Sequence, residues 1–328
     1  MKHPREVLLG AQAGAVALPV CDHYSGVEVR MRKSLQLQAE YSERYKACVF
    51  DVTLDCEDGA AVGAEAEHAR LVTELVQGLD FSRAIRPRVG VRVHAVDHPA
   101  FEADVAQIVG AVGSRLSHLM VPKVESLADV ERAVRSLDAA GGQDIPLHVL
   151  IESPAAVHRA FDIAAHARVA SLSFGLMDFV SAHGGAIPSD GMGVAGQFSH
   201  PLVVRAKLEI ASACHAHGKV PSHCVVTEFK DRAALKQAAL RAARELGYTR
   251  MWSIHPDQIE PILEAFAPSA QEVEKSARII AAAHAADWAP IALDGQLHDR
   301  ASYRYYWQTL ERAHQTGCAL PPEASVFF

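Results

Sequence analysis

Two carboxylates close apolar runs 26 residues apart in this chain: Glu152 ends VLIE and Asp178 follows LSFGLM. Bare acids brought side by side repel, and one of them tends to stay protonated. A divalent cation removes that repulsion. With oxygen donors and no His or Cys in the pattern, the ion is expected to be hard. Mg²⁺, or Mn²⁺ in its place, takes one or two carboxylates, keeps waters and accepts oxygens from a substrate. The structural alternative is that each acid caps the helix that follows it.

Three further groups stand where chemistry could use them. Arg92, in VGVRVHAVDHP, is flanked by valines. A cation at that depth needs an anionic partner, either Glu57 or Asp58 or a bound ligand. Lys123, in LMVPKVES, reads the same way, as an internal ion pair or a substrate contact. The stretch DVTLDCEDGA carries Asp51, Asp55, Glu57 and Asp58. Of these, Glu57 and Asp58 are best placed to face a ligand, and one of them could hold metal-bound water. The chain has 18 histidines, but His68, His158, His166, His215, His217 and His284 fall within helical patterns and read as surface or core.

The elements that would position these groups follow from periodicity. Strand-like runs are expected at Arg30–Leu37, Ala47–Leu54, Val89–His94, His118–Val124, Leu147–Glu152, Val169–Gly175, Lys219–Val226 and Arg250–His255. Alanine-rich segments with helical spacing separate them, such as Ser126–Ala140 and Asp231–Gly247. Eight strand–helix repeats suit a TIM (β/α)₈ barrel better than an open doubly wound sheet, and no GxGxxG follows an early strand. Barrel chemistry gathers at the C-terminal ends of the strands, where Glu152 and Asp178 would be neighbours. After Pro268 the pattern changes to two helices, Ser269–Asp287 and Arg300–Gln315. The expected organisation is an N-terminal extension over 1–29, the barrel over 30–268, and a C-terminal helical appendage over 269–328, packed on the barrel or on a neighbouring subunit. The opening MKHPREVLLGAQAGAVALPVC imitates a signal peptide, but Gln12 and two glycines interrupt it, so it reads as a helix of the mature chain.

The 328 residues are 49% hydrophobic with a net charge of −7. No basic run suggests nucleic acid, and no apolar stretch reaches the roughly 18 residues of a membrane span. Six cysteines, Cys21, Cys48, Cys56, Cys214, Cys224 and Cys318, lack CxxC spacing and read as reduced thiols of a cytoplasmic protein.

In order along the chain, LDCEDGA, VRVHAVDHPAF, LMVPKVES, LIESPAAV, SFGLMDF and RMWSIHPDQIEPILEAFAPSAQEVEKSARII resemble the HpcH/HpaI aldolase–citrate lyase β-subunit family, especially its acyl-CoA lyase branch. The corresponding family segments are LDLEDAV, VRVN, PKVE, an IET-type metal strand, FGxEDL and KxxIHPxQI…FxPxxEEVxxA. The likeness runs from about Arg32 to Asp299. It implies Mg²⁺ on Glu152 and Asp178, an active-site arginine at Arg92, and an acid beside the metal shell at Glu57. DGQLHD is similar to the branch's GxMID, which implies that Asp299 acts as acid or base in a neighbouring subunit's site of a homotrimer or hexamer. Arg32 matches the residue that steers a CoA phosphate, with Lys123 as a further substrate contact. The chain departs from the pattern where RSxLFVPG becomes RKSLQLQAEY, where Met177 replaces a glutamate, and where VPSHCVV places His223 at a common acid position. ALPVCDHYSG has no family counterpart.

The resemblance implies a carbon–carbon lyase that splits a 3-hydroxyacyl-CoA thioester into an acyl-CoA and a 2-oxo acid. Two alternatives stand beside it: a metal-dependent aldolase on free 2-oxo acids without CoA, and a non-catalytic binding or assembly subunit.

Overall fold

Eight parallel strands hydrogen-bond in sequence order, and the eighth closes on the first. The structure is a computed structural model and describes residues 2–10, 17–60 and 62–328. The staves are β1 (Cys21–Ser25), β2 (Phe50–Asp55), β3 (Val89–Arg92), β4 (His118–Val121), β5 (Leu147–Ile151), β6 (Val169–Phe174), β7 (Val220–His223) and β8 (Arg250–Ser253). The helices are α1 (Pro4–Leu9), α2 (Glu28–Tyr45), α3 (Glu65–Gln77), α4 (Phe101–Val112), α5 (Leu127–Ala139), α6 (Pro154–His158), α7 (Ala160–Ala165), α8 (Leu176–Ser181), α9 (Pro201–Ala216), α10 (Arg232–Arg244), α11 (Ile259–Phe266), α12 (Ala270–Ala285), α13 (Arg300–Gln315) and α14 (Pro322–Ser325). A hairpin, β9 (Ile291–Leu293) and β10 (Gln296–His298), precedes α13. The (β/α)₈ barrel with a C-terminal helical extension is the expected architecture.

The first stave is a correction. The expected strand Arg30–Leu37 lies inside α2. The alternation LQLQ imitates a period of two, but the buried positions Met31, Ser34, Gln38 and Ser42 follow a helical stripe. Buried Gln38 donates to the carbonyls of Phe50 and Arg88 at 2.8 and 2.7 Å and so ties α2 to the adjoining staves. The true first strand, CDHYS, is too polar to signal a barrel stave by hydropathy. The barrel therefore begins at Cys21, inside the segment expected to be an extension.

Alternation along the strands sorts the core. Outward residues such as Phe50, Val52, Leu54, Val91, Leu119, Val149 and Ile151 pack beneath the helices in the main hydrophobic cluster. A separate small cluster, Met120, Leu150 and Trp252, lies on the inward side. The C-terminal helices form their own core: Val273, Ile280, Trp307 and Leu310 pack together with Leu8 and Leu9 of α1. The N-terminal helix thus belongs to the C-terminal appendage, and the Arg5–Glu311 ion pair joins the two. Residues 11–16 of the expected N-terminal helix lie outside the described residues. Among the described residues no helix is long and apolar enough to cross a membrane, and all six cysteines are free.

Candidate active site at the barrel mouth

The barrel interior rises in levels. At the floor, Arg250 is fully buried and pairs with Asp22 at 3.0 Å and Asp51 at 2.7 Å. Arg88 reaches Asp51 from outside at 2.6 Å. Removing either sign would leave an uncompensated buried charge. Thr53 donates to Asp22 at 2.7 Å and lies 3.0 Å from His118 Nε2. His118 stacks on His148 with ring centroids 3.9 Å apart. Burial pushes the His118 imidazole down to about 4, so it is neutral. Gly90 makes room for it: a Cβ there would sit 2.1 Å from His118 Nε2. Asp22, His118 and His148 bring possible metal-ligand atoms within 4.8 Å of one another. However, face-to-face imidazoles send their in-plane lone pairs parallel rather than to one point, and Arg250 already neutralises Asp22. The apolar level of Met120, Leu150 and Trp252 separates this floor from the mouth.

Glu152 follows β5 directly, and Asp178 lies in the first turn of α8, which follows β6. Because β5 and β6 are paired neighbours, the two acids share one side of the mouth. Neither serves as a helix cap. Ser153 caps α6 by accepting from Ala156 N at 3.0 Å, and α8 starts from Gly175 with no capping side chain. Lys123 holds a left-handed backbone (φ 52°), and its N–H donates to Glu152 Oε1 at 2.8 Å. Such a conformation is costly for a non-glycine residue and persists where its surroundings hold it. Burial, and then the charge of Asp178, raise the Glu152 carboxyl to about 8. Gly175 leaves the space beside this carboxylate open, since a Cβ would lie 2.8 Å from Glu152 Oε2. Two carboxylates on one side of the mouth, one of them destabilised as a bare anion by burial and by the charge of the other, fit a hard divalent cation.

Arg92, at the end of β3, is buried and its guanidinium is held on several sides. Nε and Nη2 donate to the two oxygens of Asp55 at 2.6 and 3.0 Å. Nη1 lies 3.0 Å from Glu57 Oε2. Its Cζ stands 4.6 Å above the Tyr24 ring, which in turn stacks on Trp252 at 5.6 Å. Asp55 also accepts from Glu57 N at 3.0 Å and Gly59 N at 2.5 Å. Burial pushes the Asp55 carboxyl up, to about 8. Four N–H groups converge on its two oxygens, so the ionised form is the one this geometry holds. Lys123 Nζ pairs with Glu57 and lies 3.4 Å from Asp58.

The expected cluster of Arg92, Glu57, Lys123, Glu152 and Asp178 therefore meets at one mouth. Both structural expectations for the bases hold as well, since Arg92 and Lys123 are ion-paired. Five acids, counting Asp55 and Asp58, face these two bases, an excess that also favours a cation. Two expected residues stand elsewhere. Arg32 lies exposed on α2, with Nη2 2.8 Å from Glu28. Its neighbours Arg30 and Lys33 line the cavity of about 570 Å³ that opens beside Tyr24, Phe229 and His255. Position 32 faces away because α2 is a helix and not a strand. Asp299 caps α13, accepting from Ala301 N at 3.0 Å, beside Trp288 and Pro290 and away from this chain's own mouth. Asp55 and Tyr24 were not among the expected site residues. The period-two pattern Asp51–Thr53–Asp55 was the available signal for Asp55. Tyr24 was hidden with its strand.

Residues 39–256 match the family model described as HpcH/HpaI aldolase/citrate lyase. The chain is 31% identical over 263 residues to the L-malyl-CoA/β-methylmalyl-CoA lyase of Cereibacter sphaeroides, covering 74% of this chain and 80% of the relative. It is 30% identical over 266 residues to a (3S)-malyl-CoA thioesterase from the same species, covering 80% of this chain and 86% of the relative. A crystal structure of a citrate lyase from Burkholderia xenovorans is similar over 100% of both chains, with 48% identity and a TM-score of 0.82. A citrate lyase β subunit from Mycobacterium tuberculosis, complexed with oxaloacetate and magnesium, shares the fold at 22% identity and a TM-score of 0.59, over 77% of this chain and 98% of that one.

Proposed function

The chain belongs to the HpcH/HpaI aldolase/citrate lyase family of carbon–carbon lyases, and from that premise we propose that it cleaves a 3-hydroxyacyl-CoA thioester into an acyl-CoA and a 2-oxo acid. The observation that carries this reading is the meeting of the Glu152–Asp178 pair with a fully clamped Arg92 at one mouth. Mg²⁺, or Mn²⁺, held by Glu152 and Asp178, would supply Lewis-acid polarisation and orientation of the oxo-acid oxygens.

The remaining work falls to side chains. The 3-hydroxyl gives up its proton to a carboxylate of the mouth, for which Glu57 is the candidate, the C2–C3 bond breaks, and C3 becomes the carbonyl carbon of the oxo acid. The electron pair passes into the thioester half as an enolate, whose oxygen Arg92 stabilises. A preorganised donor of this kind is typically worth about 3–4 kcal/mol. Asp55, Glu57 and the Tyr24 face hold the guanidinium so that little reorganisation is needed. The enolate carbon then takes a proton. Asp299, which in its own chain caps α13 in the appendage, would fill that role from a neighbouring subunit, and this reading carries with it the homotrimer or hexamer that the family resemblance implies. The cavity beside Tyr24, with Arg30 and Lys33 on its wall, has room and charge for a thioester tail, which favours this reading over an aldolase on free oxo acids.

The test is turnover of L-malyl-CoA with Mg²⁺, following acetyl-CoA, glyoxylate and free CoA separately. Acetyl-CoA and glyoxylate are expected in equal amounts, and Asp178→Asn should abolish both. Free CoA without glyoxylate would make the chain a thioesterase. Binding without products across a panel of thioesters would make it a binding subunit. Mixing inactive Asp299→Ala with inactive Glu152→Gln should restore activity, since one mixed interface then carries both native residues. Full activity in Asp299→Ala alone would place Asp299 outside the reaction, and inactive variants that assemble together without recovery would overturn its action in trans.

A further inference from the structure

We propose that the crevice between the barrel floor and α13 binds a small dianion, phosphoryl or carboxylate, at a site separate from the mouth. The crevice is a pair of adjoining hollows of about 270 and 340 Å³ that share His215, Thr249, Gln308 and Arg312 as walls. It lies at the N-terminal ends of the staves, because Lys219 precedes β7 and Thr249 precedes β8. The mouth occupies the opposite end, so the two sites cannot share a ligand.

The charge here is unbalanced. Two acids line the hollows, and each is already matched. Glu272 pairs with Arg244 at 3.1 Å, and Glu311 pairs with Arg5. That leaves Arg312 and Lys219, neither of which has a carboxylate partner among the described residues. Lys219 Nζ only donates to the carbonyl of His166, at 3.2 Å. Arg312 lies between the hollows, partly buried, and the nearby Arg244 charge adds to burial in lowering its proton affinity. Residues 11–16, AQAGAV, contain no acid that could complete it.

A partly buried guanidinium with no carboxylate partner of its own, beside a second whose counter-charge is Glu272, is unfavourable unless an anion arrives. The planar donor fork of arginine matches the paired oxygens of a phosphoryl or carboxylate group. Arg312 supplies that fork, and Lys219, on the wall of the same hollow, supplies point charge. Two hollows on either side of Arg312 accommodate a ligand with two anionic ends or one compact dianion. This site does not depend on the reading of the mouth.

Calorimetric titration of the full chain in metal-free, low-salt buffer tests it, with inorganic phosphate and succinate as the two probes. The same titrations on Arg92→Gln separate this crevice from the mouth. At least one probe is expected to bind with a Kd below about 1 mM. That binding should persist in Arg92→Gln and weaken about tenfold or more in Arg312→Gln. Lys219→Gln should weaken it in the same direction and replaces Arg312→Gln if that variant does not fold. Phosphate alone would identify a phosphoryl ligand, and succinate alone a dicarboxylate. Saturable binding by neither probe overturns the site, as does binding that Arg92→Gln abolishes or that the folded Arg312→Gln and Lys219→Gln variants leave unchanged.

Discussion

Replacing Asp55 by asparagine should damage both stability and turnover, and the structure sets the scale. Asp55 is fully buried and its two oxygens receive four N–H donors, from Glu57 N, Gly59 N, Arg92 Nε and Arg92 Nη2. Asparagine keeps one acceptor oxygen and turns an NH₂ toward donors. At least two of the four donors lose their acceptor, each costing about 1–3 kcal/mol. Breaking a buried ion pair by removing one partner costs about 3–5 kcal/mol by a separate route. Glu57, 3.0 Å from Arg92 Nη1, keeps part of the counter-charge, so the lower end, about 3 kcal/mol, is expected in urea unfolding at pH 7. Arg92→Gln should cost a similar amount. The double variant should cost clearly less than the two together, with a coupling of about 2 kcal/mol or more. For turnover, a displaced Arg92 should lower kcat by roughly 10²–10³. Mg²⁺ affinity should hold, since Asp55 is not a proposed ligand. Single-variant costs that add within about 0.5 kcal/mol, or a wild-type kcat in Asp55→Asn, would refute the clamp.

Two further outcomes follow from crowded positions. Gly175→Ala places a Cβ 2.8 Å from Glu152 Oε2 and 2.9 Å from Glu152 Cβ, so the melting temperature should fall and Mg²⁺ binding to the folded variant, by calorimetry, should weaken about tenfold or more; unchanged affinity would remove Glu152 from the metal site. At the floor, His118 is held near 4 by burial against an ordinary 6.5. The unfolded chain then takes up the proton first as pH falls. Its contribution is present above pH 6.5 and is lost toward pH 4, by up to about 3 kcal/mol. Unfolding free energies at pH 7 and 5 should fall less steeply in His118→Gln than in the native chain, and equal slopes would contradict a neutral His118.

How much of this was legible depended on whether a signal was local. Seven of the staves announce themselves because an outward row of Val, Leu, Ile and Phe must meet helices, and that requirement writes a short apolar run into each. CDHYS escapes because its inward positions carry Asp22 and Tyr24, and it borders a helix whose LQLQ copies a strand. The error at β1 then propagated. Numbering a ligand contact from an imagined strand selected Arg32, whereas the helical stripe of α2 turns Arg30 and Lys33 toward the cavity.

The carboxylate pair was legible because each acid follows the apolar run of one of two adjacent staves, and adjacency in a closed barrel follows from chain order. The support of Arg92 was not legible to the same degree. Asp55 stands 37 positions before it and pairs with it only through the β2–β3 register, which places Asp55 opposite Arg92. Tyr24 reaches Arg92 across the barrel interior, a contact that no spacing encodes. A sequence therefore displays the groups that would meet the ligand more readily than those that hold them in place. By the same logic, Arg312 and Lys219, without carboxylate partners among the described residues, come together only when α13 folds back beneath β7 and β8. That is why Arg312, unremarkable on its own helix, becomes the residue whose substitution should matter most there.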